Sequence, residues 1–352
     1  MYNLGRQESP AISLRNCPHD LFDFAFGTEP PIFRETKVLE LVTVTPSHTM
    51  RTLIEGFGTN LEFGRYLAPL TSFGTGGRAR YFITAENTDD IVRSIKAAKR
   101  LEVPYFVMGS GSNLLVSDNG YEGLIIKVDI KGMSLIEGHR IRCGAGEELM
   151  SLVDFASANS LTGLEFAAGI WGTVGGAVYG NAGAYGGEIG SILSELELVD
   201  NDGNVKTVGP DYCRFSYRHS YLKEVRETAV WVTLDAQSGD KSVIEDRVSE
   251  ILALRKEKHP ETACSAGCFF KNIPDASQPH GKLPAGKLLD EIGAKGMQVG
   301  GAKVFEKHAN IIVNTGDATS KDIRQLADIL KQKVFEKFGI ELQEEVQQLG
   351  NF

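Results

Sequence analysis

The run Gly169-Ile170-Trp171-Gly172-Thr173-Val174-Gly175-Gly176-Ala177, continued by Asn181-Ala182-Gly183-Ala184-Tyr185-Gly186, holds too much glycine for an ordinary helix or strand. Ten glycines fall between Gly163 and Gly190, where about two would be average. Glycine inside a regular element costs about 0.5–1 kcal/mol, so such a density needs a physical use. It permits positive φ and lets backbone approach a ligand closely, and successive N–H groups in such turns form nests that hold a pyrophosphate. A second, smaller cluster, Gly109-Ser110-Gly111-Ser112-Asn113, lies upstream of a helical segment. Neither cluster is a G-x-G-x-x-G opening a helix after a strand, so a Rossmann fingerprint is not supported. Together they read as a dinucleotide cradle, with Asn113 and Asn181 adding amide donors and acceptors.

Composition bounds the rest. With 37 basic and 46 acidic residues in 352, the formal charge is −9. That argues against a nucleic-acid coat and leaves anionic ligands to backbone N–H groups and local cations. No apolar run approaches the ~20 residues of a membrane helix. The five cysteines (Cys17, Cys143, Cys213, Cys264 and Cys268) are odd in number and widely spaced. They read as thiols of a reducing cytoplasm, with no metal set completed around Cys264 and Cys268.

The order of elements is mixed α+β. Residues 1–55 carry many prolines and little periodicity, and read as an extension, loosely docked or disordered; Met50 is an alternative start. Three blocks follow, at 56–125, 126–243 and 244–352. In the first, Thr88 caps a helix carrying Ile91, Ile95 and Ala98, and Tyr105–Met108 and Leu124–Val128 are strands. The second holds a helix over 147–158, a hairpin about the turn Asn201-Asp202-Gly203-Asn204, and a strand from Thr228. The third opens on an amphipathic helix over 242–257. Thr319-Ser320-Lys321-Asp322 is a capping box for its last helix, closed by Gly339. Ile340, Leu342 and Val346 alternate as a final strand.

These residues together resemble the UDP-N-acetylenolpyruvoylglucosamine reductase family, in its compact subtype. The resemblance extends through Thr71–Ala79, Gly109–Asn113, Tyr217-Arg218-His219-Ser220, Ala266–Asn272, Ala285–Lys287, Gly300–Asn314 and Glu341–Val346. It covers about residues 56–350. It implies a two-domain FAD-binding unit of vanillyl-alcohol-oxidase/PCMH type, followed by a C-terminal α+β substrate-binding domain. It implies a cytoplasmic, monomeric enzyme with FAD and NADPH as cofactors and no metal, nucleic-acid or membrane partner. The implied substrate is UDP-N-acetylglucosamine enolpyruvate, whose enol ether is reduced to give UDP-N-acetylmuramate.

By the same resemblance, Gly109, Ser110, Gly111, Ser112, Asn113, Gly169, Gly172, Gly175, Gly176, Asn181, Ala182 and Gly183 bind the cofactor. Arg218 is the catalytic arginine, its planar fork suited to a carboxylate. Glu345 is the catalytic acid, with neighbouring Glu341 and Glu344 as rivals, Glu344 the main one. Cys268 stands where the family usually has serine as the proton donor, with Ser265 an alternative. A thiol is a better acid than an aliphatic alcohol, so the exchange is chemically tolerable. Tyr217, Lys258, Lys271 and Asn272 contact the substrate, and Arg255 is a further candidate. Trp171 replaces the proline usual after Gly-Ile and either stacks on the flavin or packs. Tyr179 and Tyr185 either pack or bind. His308 and Asn310 read as structural.

Overall fold

The computed structural model describes residues 48–260, 264–278 and 281–352. Most of the expected extension over 1–55, Cys17 included, therefore lies outside the described residues. The part that is described is helical: His48–Phe57 forms a helix that lays Leu53 and Phe57 into the main core.

The first block is a four-stranded sheet in the order Glu62–Tyr66, Arg78–Ala85, Tyr121–Val128, Tyr105–Met108. The outer hairpin is antiparallel and the other two pairings are parallel. The helix Thr88–Arg100 covers it with Ile91, Ile95 and Ala98 buried. The cap of this helix is not Thr88 but Asn87, whose side chain accepts from the Asp90 N–H. An Asx side chain one residue earlier reaches the third amide of the turn as readily as a threonine.

The second block is a five-stranded antiparallel sheet: Val205–Val208, Leu193–Val199, Thr228–Asp235, Arg140–Gly144, Met133–Ile136. The expected hairpin forms, with Leu196 opposite Val208 and Val199 opposite Val205. One continuous apolar core joins this sheet, its helix Leu149–Ala158 and the inner face of the first block. The helix Lys241–Lys258 packs on that same core through Val248, Ile251 and Leu252, and so belongs physically with the cofactor side of the molecule.

The third block is a sheet of Cys264–Cys268, Ile311–Asn314, Ala302–Val304 and Gln298–Val299, backed by the helices Ala285–Glu291 and Ser320–Phe338. The Thr319/Asp322 capping box forms, and Gly339 closes the helix at φ 66°. Its core takes in Phe73 and Leu115 from the first block.

Two expectations are corrected here. Residues 340–346 do not form a ladder; Phe270 and Glu344 make an isolated bridge, although Leu342 and Val346 are buried as their alternation suggests. The strand comes later, at Gln347–Leu349, and pairs in parallel with Leu114–Val116 of the first block. Cys143, Cys213 and Cys268 are thiols, but Cys264 is disulfide-bonded, so the reading of it as a thiol does not hold.

Candidate active site

Two glycine loops meet at the base of the site. A Cβ on Gly109 would lie 2.3 Å from Thr173 Oγ1, and one on Gly172 would lie 3.0 Å from Ser112 Oγ. Gly111 has φ 67°, and a Cβ there would stand 2.1 Å from the Leu70 carbonyl oxygen. The close approach of these backbones requires glycine. No backbone N–H from Gly109 to Asn113 donates to a carbonyl among the described residues, and Ser110 Oγ is buried without a partner. Five successive amides left in this way are available as donors to an anionic ligand.

The larger cluster behaves differently. The Gly175 N–H is spent on the Ala145 carbonyl, that of Gly176 on Thr173 Oγ1, and that of Ala182 on the Ala177 carbonyl. Gly183 sits in a two-stranded ribbon against Gly187–Glu188. Asn181 is fully buried in a left-handed cap, donating to the Ser216 carbonyl and accepting from the Gly190 N–H. Its amide braces the loop that carries Arg218. Gly169 lies against the stem of Arg255, whose Nε is buried without a partner and whose guanidinium is 5.3 Å from the Tyr185 ring. Trp171 is exposed beside these loops.

Arg218 occupies the tip of a two-residue turn. Ser216 and His219 bond to each other in both directions, leaving Tyr217 and Arg218 between them, with Arg218 at φ 55°. Ser220 Oγ donates to the Tyr179 carbonyl and ties the turn to the helix Val174–Gly180. Arg218 Nε then lies 2.6 Å from Glu345 Oε1.

Glu345 is placed from both sides. Its N–H donates to the Phe269 carbonyl, and its carbonyl accepts from Asn113 Nδ2. The first contact belongs to the third block and the second to the cradle. Glu344 points elsewhere, to Arg324, Lys331 and Gln348. A surface network of this kind fixes the last helix and removes Glu344 as a rival for the Arg218 pair.

Cys268 ends the strand Cys264–Cys268 beyond a register shift, after Gly267 at φ 73°. Burial, with the Glu345 charge adding, pushes its thiol up to about 11, against opposing Arg218 and Arg255. It is therefore protonated at neutral pH. Ser265 is buried within the strand opposite Val313. Tyr217 accepts at its hydroxyl from the Asn272 N–H, and Asn272 Oδ1 accepts from Ala285 N–H. Lys271 donates its N–H to the Gln343 carbonyl and carries its charge toward Lys223. Lys258 is exposed, and its charge falls on His259 and His308 rather than on the Arg218 pair. His308 Nδ1 accepts from the Asn310 N–H, and the Asn310 amide exchanges two hydrogen bonds with the Phe270 backbone. Two cations were not foreseen. Lys282 Nζ stands 3.7 Å from the Tyr217 ring centroid, and Lys223 Nζ donates to the Arg218 carbonyl. No local pattern marks either; both arrive by tertiary contact.

Comparison with known proteins follows the same division. The FAD binding domain family matches residues 79–209, and the C-terminal domain family of UDP-N-acetylenolpyruvoylglucosamine reductase matches residues 259–349. The UDP-N-acetylenolpyruvoylglucosamine reductase of Caldicellulosiruptor bescii is 40% identical over 288 residues, which is 81% of this chain and 90% of the relative. That of Caldanaerobacter subterraneus is 37% identical over 280 residues, 80% of this chain and 90% of its own. The chain belongs to the UDP-N-acetylenolpyruvoylglucosamine reductase family. A solved member, from Thermus caldophilus, superposes with a TM-score of 0.69 at 34% identity, covering 82% of this chain and 99% of that one. Membership makes the chain an FAD-dependent oxidoreductase with an α+β fold, and the cradle fits the cofactor: unspent amides at Gly109–Asn113, the orphaned Ser110 hydroxyl and the orphaned Arg255 Nε are donors suited to a pyrophosphate and a flavin edge.

Proposed function

We propose that this reductase uses NADPH and FAD to reduce UDP-N-acetylglucosamine enolpyruvate to UDP-N-acetylmuramate, a peptidoglycan precursor, as a cytoplasmic monomer. The observation that carries the reading is the cluster of Arg218, Glu345 and Cys268 at the junction of the cofactor unit and the third block. Bound FAD supplies the hydride that NADPH provides.

The chain's own residues do the rest. Hydride addition to the vinyl carbon places negative charge on the α-carbon and its carboxylate. Arg218 spends Nε on Glu345, which leaves its two terminal nitrogens for that carboxylate. A guanidinium held in advance stabilises such charge without reorganisation. Cys268, a protonated thiol facing the same pair, gives the proton to the α-carbon. Glu345 orients Arg218 and stands beside Cys268 to return a proton. Lys271, Asn272 and Tyr217 line the side where the sugar nucleotide would lie. Lys258 is a contact for the outer phosphate.

The test is NADPH oxidation by purified protein with and without UDP-N-acetylglucosamine enolpyruvate. The reading requires oxidation that depends on that substrate. Turnover with oxygen alone would make the chain an oxidase on the same cofactor unit. Absence of flavin absorbance near 450 nm would leave only a nucleotide-binding module.

A further inference from the structure

Lys223 is a half-buried ammonium in the short helix Leu222–Val225, and it has no carboxylate within salt-bridge distance among the described residues. Buried lysines ordinarily pair with an acid. Here the nearby acid, Glu345, is held by Arg218. The hydrogen bond that Lys223 does make, 2.8 Å from Nζ, goes to the main-chain carbonyl of Arg218 itself. Arg218 is left-handed at φ 55°, a conformation a residue with a Cβ keeps only when its surroundings hold it there. The turn is already pinned on its other side by Asn181 and Ser220.

We propose that Lys223 is a positioning residue: by clamping the Arg218 carbonyl it keeps the left-handed turn that aims the guanidinium at Glu345 and the substrate carboxylate. The inference rests on the reductase reading, and it adds a residue to which that reading assigns nothing.

The surroundings of Lys223 give this role a pH signature. Its charge faces Lys271 and Arg218, which repel it, Glu345, which favours it, and the Tyr179 ring at 5.6 Å; Glu224 on its own helix is turned to His219. Burial first, then Lys271, holds the ammonium down to about 8. The neutral amine is a weaker donor to the carbonyl. Cys268 titrates well above this, at about 11.

The experiment measures kcat/KM against pH 6–10, with NADPH saturating, for the holoenzyme and for Lys223→Arg and Lys223→Met. A profile of kcat/KM reports groups of the free enzyme. The wild type should lose activity through an alkaline limb near pH 8. Lys223→Arg, which keeps its charge throughout, should retain turnover and lose that limb. Lys223→Met should lower kcat by about a hundredfold, the scale of a misaimed catalytic group, while FAD content and thermal midpoint stay near wild type. An unchanged limb in Lys223→Arg, a methionine variant as active as wild type, or an arginine variant as impaired as the methionine one would each overturn the proposal. If the wild type itself shows no oxidation dependent on the enolpyruvyl substrate, the reductase reading fails instead, and the two failures are distinct.

Discussion

Glu344 and Glu345 are adjacent in the chain and face opposite partners: Glu345 meets Arg218 at 2.6 Å, while Glu344 meets Lys331 at 3.1 Å and Arg324 at 3.4 Å. The chain between them turns one carboxylate to the Arg218 turn and the other to the last helix. Glu345→Gln should therefore lower kcat by roughly 10²–10⁴, the range for removing a positioned acid–base group, with little change in thermal stability. Glu344→Gln should keep kcat within a few-fold and cost up to about 1 kcal/mol in stability, the scale of a partly exposed ion-pair network, because it removes the charge shared by Arg324 and Lys331. Steady-state kinetics and denaturant unfolding on both variants check the pair; equal kinetic losses would contradict the assignment.

Cys268 should behave as a proton donor and not as a nucleophile. With its thiol at about 11 it is un-ionised between pH 6 and 9, so iodoacetamide should label it slowly at pH 7. Cys268→Ser should keep substantial turnover. Cys268→Ala should take up hydride from NADPH normally but return it to substrate about 10²–10⁴ times more slowly. Stopped-flow absorbance of the bound flavin separates the two half-reactions, and rapid reoxidation in the alanine variant would remove Cys268 from the mechanism.

The first glycine loop should be the more sensitive one for cofactor retention. Gly111→Ala puts a methyl 2.1 Å from the Leu70 carbonyl at a positive φ, for a cost of roughly 2–4 kcal/mol. The purified variant should hold less FAD per chain and melt lower. Gly138 also has positive φ, at 72°, but opens on free space, so Gly138→Ala should cost only about 1 kcal/mol and leave FAD content intact. Flavin-to-protein absorbance ratios and melting curves compare the two directly.

Acid should weaken the third block's junction first. Burial, then Arg255, His308 and Lys258, hold His259 down to about 4, and burial lowers His308 as well. An imidazole whose folded value lies below the ordinary ~6.5 binds more protons when unfolded. Stability is thus complete above about pH 6.5 and is lost as pH falls from there toward 4. Urea midpoints between pH 7 and 5 should fall, and His259→Phe should reduce the slope, His308 supplying the remainder. An undiminished slope would place the proton uptake elsewhere.

Elements built on local periodicity could be read directly. The helix Thr88–Arg100, the strand Tyr105–Met108, the hairpin at Leu193–Val208 and the boxed helix Ser320–Phe338 follow from spacing and caps alone. What failed was non-local. Residues 340–346 alternate like a strand, but the ladder forms just after them, at Gln347–Leu349, because its partner, Leu114–Val116, lies more than two hundred residues upstream. Pro-rich surroundings hid the helix His48–Phe57, which exists because Leu53 and Phe57 find a core. In the site, Arg218, Glu345 and Cys268 came from a family pattern, and the structure brings them together. Pattern alone left Glu341, Glu344 and Glu345 as alternatives; the contacts of Glu344 with Arg324 and Lys331 and of Glu345 with Arg218 separate the last two. Asn181 sits in the motif as expected, yet its amide is spent on Ser216 and Gly190. Lys223 and Lys282 carried no sequence signal, since their meaning lies in the turn and the ring they touch.

The third block is fastened to the cofactor unit at both of its ends, by the helix Lys241–Lys258 before it and by the Gln347–Leu349 ladder after it. Between those ends its core takes in Phe73 and Leu115, the Asn314 amide donates to the Phe73 carbonyl, and Asp118 accepts from the Ser320 N–H. The block is thus stitched along a seam and not hung at two points. The pairing of Glu345 with Arg218 straddles that seam, so its geometry is a property of all the stitches together and should register the loosening of any one of them.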